Sequence, residues 1–283
     1  MPSLTSSYVR CIRQDAIADL AGVGATSTWF TTDDGVRLHA LDYGGERPPL
    51  LVLPGITSPA IAMDFVATAL TDLVRPIVLD NRGRGLSDPG SSYLLQDYAA
   101  DTLRVLDTLH DPLVLGHSMG ARIAAVVGAR KPLRATILVD PPMSGPGRSP
   151  YPTTLQAFQA QLTEAQRGTD AVEVARSWPR WPRREQELRA RWLSSCDEVA
   201  VAQTHRSFET EDFFTHWSAV PAPSALFYGA ESPVVDADGA AEARTTNPAA
   251  TVSAIPEAGH MVFWDNPAAS LETIRAFLCD LIN

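Results

Sequence analysis

The sequence predicts an α/β fold: a mostly parallel central sheet flanked by helices, with a helical segment inserted before the later strands. Three observations predict it. Short apolar runs alternate with stretches of helical periodicity from Thr28 to Asp140. That alternation breaks between Pro141 and about Val220, where Gly- and Pro-rich turns give way to amphipathic helices, and then it resumes. Within the first half, Gly116-His117-Ser118-Met119-Gly120 joins an apolar run to a helical one.

In chain order, residues 1–27 read as an N-terminal extension, with a short helix over 9–20 that stops at Ala21-Gly22-Val23-Gly24. The core spans 28–142 and 221–283. It opens with strands over 36–43, 49–53 and 76–80, a helix over 61–70 lying between the last two. A helix over 98–109, a strand over 113–115, a helix over 119–129 and a strand over 135–140 follow. Runs such as Leu113-Val114-Leu115 carry no polar alternation, which is the pattern of a strand covered on both faces. The inserted segment, 143–220, begins with Ser144-Gly145-Pro146-Gly147 and carries helices over 154–166, 184–195 and 198–208, reading as a lid. The core returns with a strand over 225–228, a helix over 238–245, a strand over 251–255 and a closing helix over 268–281. No repeat or low-complexity tract interrupts this plan.

At 283 residues the chain fits one α/β domain with an insertion better than two independent domains. Its net charge of -10, with no basic stripe, excludes a nucleic-acid binder, which needs clustered cations against phosphate. Lys131 is the only lysine among 23 basic residues; codon usage accounts for the bias, although arginine also suits bidentate binding of carboxylates. Cys11, Cys196 and Cys279 are odd in number, widely spaced and free of any Cys-x-x-Cys pattern, so neither a disulfide framework nor a zinc site is expected. Residues 1–20 hold Arg10, Arg13, Asp15 and Asp19 with no unbroken apolar stretch, which excludes a signal peptide and a membrane span there. The expectation is a cytoplasmic protein with a small-molecule partner and no membrane association, its oligomeric state left open.

The Gly-x-Ser-x-Gly element sits between strand and helix, where a sharp turn presents a serine hydroxyl at the carboxyl edge of a sheet. Such a hydroxyl is a poor nucleophile until a base takes its proton, and a third group must hold that base. If the chain order is serine, acid, histidine, then His39, His110 and His117 come too early, and His205 and His216 fall in the insertion. His260, in the loop beyond the strand over 251–255, is the expected base; the plainer reading is a loop histidine packed on Trp264. For the acid, the turn after the strand over 225–228 reads Gly229-Ala230-Glu231-Ser232-Pro233, with serine where an aspartate is usual. Asp140, ending the strand at the same edge as Ser118, is favoured, with Glu231 and Asp236 as alternatives. The oxyanion of an acyl-transfer intermediate needs two backbone N–H donors. Met119, after the nucleophile, and Ile56, in the loop Pro54-Gly55-Ile56-Thr57-Ser58, are the candidates.

Together these residues resemble the α/β-hydrolase superfamily. Several runs resemble a narrower group, the N-formylmaleamate deformylases of aerobic nicotinate breakdown: Leu51-Val52-Leu53-Pro54-Gly55-Ile56-Thr57-Ser58-Pro59-Ala60, Arg82-Gly83-Arg84-Gly85-Leu86-Ser87, Gly116-His117-Ser118-Met119-Gly120-Ala121-Arg122, Asp140-Pro141-Pro142 with Ser144-Gly145-Pro146-Gly147-Arg148, Leu188-Arg189-Ala190 and Ala258-Gly259-His260-Met261. The elbow is common to the superfamily, whereas the runs around Pro54 and Ser144 are far more specific. The resemblance covers about Thr28 to the C-terminus; the extended N-terminus and much of the insertion depart from it.

The resemblance implies that the acid follows the strand before the lid, as Asp140 does, and that a related hydrolase of 2-(acetamidomethylene)succinate shares this displacement. It implies attack by Ser118 on an N-formyl amide, giving maleamate and formate through an acyl-enzyme, with no metal or cofactor. A carboxylate-bearing substrate asks for a positive group, and Arg122, Arg148 and Arg189 lie inside matching runs. Ser58, Tyr151 and Trp181 are the other candidate substrate contacts. The alternatives are another ester, thioester, amide or carbon–carbon bond hydrolase with the same triad, and more remotely a non-catalytic ligand sensor on the same fold.

Overall fold

The structure, a computed structural model, describes residues 14–282. Eight strands form one sheet: β1 (Thr26–Thr31), β2 (Arg37–Asp42), β3 (Pro49–Leu53), β4 (Arg75–Leu79), β5 (Leu113–His117), β6 (Ala135–Val139), β7 (Ser224–Gly229) and β8 (Thr251–Ile255). Their order across the sheet is β1-β2-β4-β3-β5-β6-β7-β8. The six strands from β4 to β8 in that order pair in parallel, while β1 and β2 run antiparallel at one edge. Alternate residues feed opposite cores: Leu51, Leu53, Val114 and Leu138 join one apolar cluster, whereas Leu50, Val52, Leu113, Leu115, Ile137 and Val139 join the other. Side chains alternate faces along a strand, so a run apolar at every position fits a sheet with helices on both sides.

Helix α1 (Gln14–Ala21) precedes the sheet, and the part of the expected N-terminal helix over 9–13 lies outside the described residues. Strand β1, unforeseen because its Thr and Ser residues leave it half exposed, pairs with β2 across a turn at Gly35. A 3-10 turn (Ala60–Met63) runs into α2 (Asp64–Thr68) where one helix over 61–70 was expected. Helix α3 (Leu95–Leu106) begins earlier than the expected 98–109, because Asp97 accepts hydrogen bonds from the Leu94 N–H (2.8 Å) and the Ser92 hydroxyl (2.5 Å) and starts the helix there. Helix α4 (Met119–Arg130) follows Ser118.

After β6 the chain leaves the sheet for five helices: α5 (Leu155–Arg167), α6 (Ala171–Ser177), α7 (Arg183–Trp192), α8 (Glu198–Thr210) and α9 (Phe213–Trp217). Thr154, Asp170, Asp197 and Asp212 cap four of them through side-chain oxygens on backbone N–H groups. Helices α6 and α9 are too short to show a clear 3.6-residue period and were unforeseen. The chain then returns through β7, α10 (Ala237–Thr246), β8, the short α11 (Val262–Asp265) and α12 (Pro267–Ile282). Helix α1 docks on α7, where the Asp19 carboxylate accepts from Arg191 Nε (2.7 Å), Arg191 Nη2 (2.6 Å) and Trp192 Nε1 (3.0 Å). Among the described residues no helix is long and apolar enough to cross a membrane.

Candidate active site

Strand β5 ends at His117, and Ser118 turns the chain into α4 with φ 55° and ψ −119°. A non-glycine residue with positive φ is held there only where its surroundings over-determine it. Here the Ser118 N–H donates to the Val139 carbonyl at 2.9 Å, tying the turn to β6. The flanking glycines are required by space: a Cβ on Gly116 would collide with the Gly120 carbonyl, and one on Gly120 with the Leu53 carbonyl.

The Ser118 hydroxyl lies 2.9 Å from His260 Nε2, and His260 Nδ1 lies 2.6 Å from Asp140 Oδ2. A carboxylate only accepts, so Nδ1 carries the ring proton and Nε2 presents a lone pair to the serine O–H. Asp140 leaves the end of β6 with φ 49° and is completely buried. Its charge is met by three donors: the His260 ring, the Gly229 N–H on Oδ1 (2.9 Å) and the Ser232 hydroxyl on Oδ2 (2.6 Å). The alternative acids are engaged elsewhere. Glu231 is exposed and faces Arg180 at 3.4 Å, and Asp236 caps α10 by accepting from the Gly239 N–H at 2.8 Å. Serine at 232, where an aspartate is usual, therefore supports Asp140 instead of replacing it.

A contact that the sequence reading missed lies inside the elbow. His117 Nε2 donates to the His260 carbonyl at 2.9 Å, and the two rings sit 5.3 Å apart. Burial, with the neighbouring His260 second, holds the His117 pKa down at about 3, so the ring is neutral. The signal is a polar residue closing an apolar strand, at the variable position of the Gly-x-Ser-x-Gly motif.

The loop after β3 passes beside the elbow, with Gly55 close against Ser118 and His117, and carries Ile56; Met119 heads α4 directly after Ser118. Among the described residues neither the Ile56 N–H nor the Met119 N–H has a hydrogen-bond partner, although both residues are buried. The loop itself is tightly held. Arg84, fully buried, donates from Nε to the Ile56 carbonyl (3.1 Å) and from Nη2 to Thr204 on α8 (3.1 Å), and it also bonds the Tyr98 hydroxyl. Arg189 on α7 donates from Nη1 to the Thr57 carbonyl at 2.8 Å.

Ser118, His260 and Ile56 open onto a pocket between the sheet edge and the helical segment. Ile56 and Ser58 line it from below, and Tyr151, Trp178, Trp181 and Arg189 from above. The Tyr151 hydroxyl reaches His260 Nε2 at 3.2 Å, and burial pushes that phenol's pKa up, keeping it a neutral donor. Trp181 stacks between Trp178 (4.8 Å) and Trp264 (5.4 Å). Besides Thr57, Arg189 donates only to Gln161 (3.1 Å); it has no carboxylate partner among the described residues, and burial lowers its pKa to about 10.

The other two candidate arginines, Arg122 and Arg148, do not line this pocket. Arg122 is buried at the start of α4 but points its guanidinium at carbonyls of the helical segment, Glu211 (2.5 Å) and Phe208 (3.4 Å). Arg148 is consumed by a bidentate pair with Glu242 (2.7 Å to each oxygen) and lies over the Phe214 ring. Among the described residues no group of three or more His, Cys, Asp or Glu side chains is arranged to hold a metal ion.

A serine turned out at the end of a central parallel strand, facing a histidine and a buried aspartate from neighbouring loops, is an arrangement of the α/β hydrolases. The sequence profile of the alpha/beta hydrolase family matches residues 50–273, and the chain belongs to that family. It is 36% identical to an N-formylmaleamate deformylase of Pseudomonas putida, over 82% of this chain and 89% of that protein. To a 2-(acetamidomethylene)succinate hydrolase of Mesorhizobium japonicum it is 30% identical, over 83% of this chain and 89% of that one. A crystal structure of an N-formylmaleamic acid deformylase variant from Pseudomonas putida S16 superposes with a TM-score of 0.84 at 36% identity, covering 88% of this chain and 100% of that chain.

Proposed function

We propose that the protein is a serine hydrolase of small carboxylate-bearing amides and that it cleaves N-formylmaleamate to maleamate and formate. The observation that carries this reading is the Arg189 guanidinium, free of any carboxylate among the described residues, on the wall of the pocket that holds the Ser118 hydroxyl. A desolvated cation without a counter-charge is costly, and a substrate carboxylate relieves that cost while fixing the substrate's orientation. The names of the two similar amide hydrolases support the same class.

In this reading His260 Nε2 takes the Ser118 proton as the hydroxyl attacks the formyl carbon, and Asp140 stabilises the imidazolium that forms. The oxyanion of the tetrahedral intermediate accepts from the Ile56 and Met119 N–H groups, which need no reorganisation to meet it. His260 returns its proton to the amide nitrogen, and maleamate leaves. Water, deprotonated by the same ring, attacks the formyl ester carbon; the bond to Ser118 Oγ breaks, His260 returns the proton to Oγ, and formate leaves. The enzyme works in the cytoplasm in this reading, as the spacing of its cysteines supports.

The test is formate release from N-formylmaleamate, compared with hydrolysis of p-nitrophenyl acetate and of 2-(acetamidomethylene)succinate. Formate release far exceeding the other two rates is expected. Brisk ester hydrolysis without formate sinks the deformylase reading, and acetate release from the acetamido substrate as the fastest reaction transfers the assignment to that compound.

A further inference from the structure

We propose that the Ser232 hydroxyl sets the proton affinity of the Asp140–His260 pair, making Ser232 a positioning residue for the general base. The inference rests on the triad reading above but not on the identity of the substrate. Ser232 lies in the turn that follows β7, its N–H donating to the Gly229 carbonyl at 2.9 Å. Its Oγ accepts from the Val234 N–H at 3.1 Å, which aims the hydroxyl proton at Asp140 Oδ2, 2.6 Å away. That oxygen also receives the His260 Nδ1–H at 2.6 Å. Two donors thus share one carboxylate oxygen in a site from which water is excluded, since Asp140 is completely buried.

The consequence for the base has a definite sign. A donor that stabilises a carboxylate lowers its proton affinity and weakens what the same oxygen gives another donor. Removing the Ser232 hydroxyl leaves Oδ2 to the His260 N–H alone, so that bond strengthens and the variant ring takes up its proton at higher pH than the wild type's. An aspartate at 232 would instead set a second negative charge against Asp140, so the acid at the end of β6 and a hydroxyl after β7 form a matched set. The titratable groups facing the pair from other elements are His117 on β5, Tyr151 on the loop before α5 and Asp265 on α11. None of them bonds to Ser232, so a substitution there leaves their contacts to the pair in place.

The experiment follows the rate of fluorophosphonate labelling of Ser118, and kcat/KM for p-nitrophenyl acetate, across pH in the wild type, Ser232→Ala, Ser232→Thr and Ser232→Cys. Labelling reads the base without assuming a natural substrate. Ser232→Ala is expected to move the acid limb of both profiles up by about one pH unit, with the alkaline plateau changed only a few-fold. Ser232→Thr restores the wild-type limb, because it keeps the O–H donor. Ser232→Cys, a weak donor, shifts it part of the way and serves as the measured variant if the alanine form does not fold. An unmoved or down-shifted limb in Ser232→Ala or Ser232→Cys, with labelling still lost in Asp140→Asn, overturns this inference alone. Full-rate labelling in Asp140→Asn overturns the triad and this inference with it.

Discussion

The sheet edge and the helical segment after β6 supply opposite walls of one pocket, and they do so by different means. On the sheet side Ser118 and Asp140 leave adjacent strand ends, β5 and β6, and both have positive φ, fixed by backbone bonds to neighbouring strands. On the helical side Tyr151, Trp181 and Arg189 come from a loop, a turn and α7, and their positions depend on packing between helices and on long side-chain hydrogen bonds. In the proposed reading the sheet side carries the chemistry and the helical side the selectivity, so substitutions on the two sides should fail in different ways.

The largest effect belongs to the sheet side. Asp140→Asn keeps the shape but removes the charge that holds His260 in its working tautomer and stabilises the imidazolium, so kcat should fall by about 10³- to 10⁴-fold. Asp236→Asn, which keeps an oxygen to cap the helix, should stay within about two-fold in kcat with little change in stability, since asparagine caps about as well as aspartate. Steady-state kinetics on N-formylmaleamate and on p-nitrophenyl acetate check both, and near-native turnover by Asp140→Asn would remove Asp140 from the triad.

The next effect separates the two walls. Arg189→Met deletes the guanidinium from the helical side, so KM for N-formylmaleamate should rise by about 10- to 100-fold, the magnitude of a lost charge-assisted hydrogen bond. Because Arg189 also holds the Thr57 carbonyl beside the oxyanion loop, kcat should drop for every substrate alike. The diagnostic quantity is therefore the ratio of kcat/KM between N-formylmaleamate and uncharged p-nitrophenyl acetate. A ratio unchanged by Arg189→Met assigns that arginine to loop support and leaves carboxylate recognition to another group.

The same contrast explains what the sequence made legible. Strands β3, β5 and β6 were readable because a doubly covered strand must be apolar throughout, and the elbow because its glycines answer to steric limits that no other residue meets. Serine at 232, together with Asp140 ending the strand at the same edge as Ser118, favoured Asp140 as the acid, while Glu231 and Asp236 stayed open because their own partners, Arg180 and the Gly239 N–H, are visible only in the fold. What the sequence left undecided was three arginines of equal standing, and the reason is physical. Which of Arg122, Arg148 and Arg189 reaches the pocket depends on whether Phe208, Glu211 and Glu242 are near enough to engage the other two, and those contacts span tens of residues. His117 stayed hidden for a similar reason: its partner is a backbone carbonyl 143 positions away.

The smallest expected effect tests how the sheet side is held together. His117 is neutral and buried, with a pKa near 3 in the folded protein, whereas an unfolded chain titrates its histidines at about 6.5. Between those values the unfolded state binds the additional proton, so stability falls as pH drops through that window, by about 1.4 kcal/mol per pH unit where the difference is a full proton. Above about pH 6.5 the ring is neutral in both states and its titration has no effect on stability. His117→Gln keeps an N–H able to donate to the His260 carbonyl but does not titrate, so it should leave kcat within about ten-fold while flattening the acid-side loss of stability by one proton. Urea midpoints measured from about pH 7 down to about pH 4 report the difference directly, through the dependence of unfolding free energy on denaturant. If wild type and His117→Gln lose stability in parallel over that range, His117 is not the neutral prop under His260, and the base is held by Asp140 at the end of β6 and by Ser118 at the end of β5.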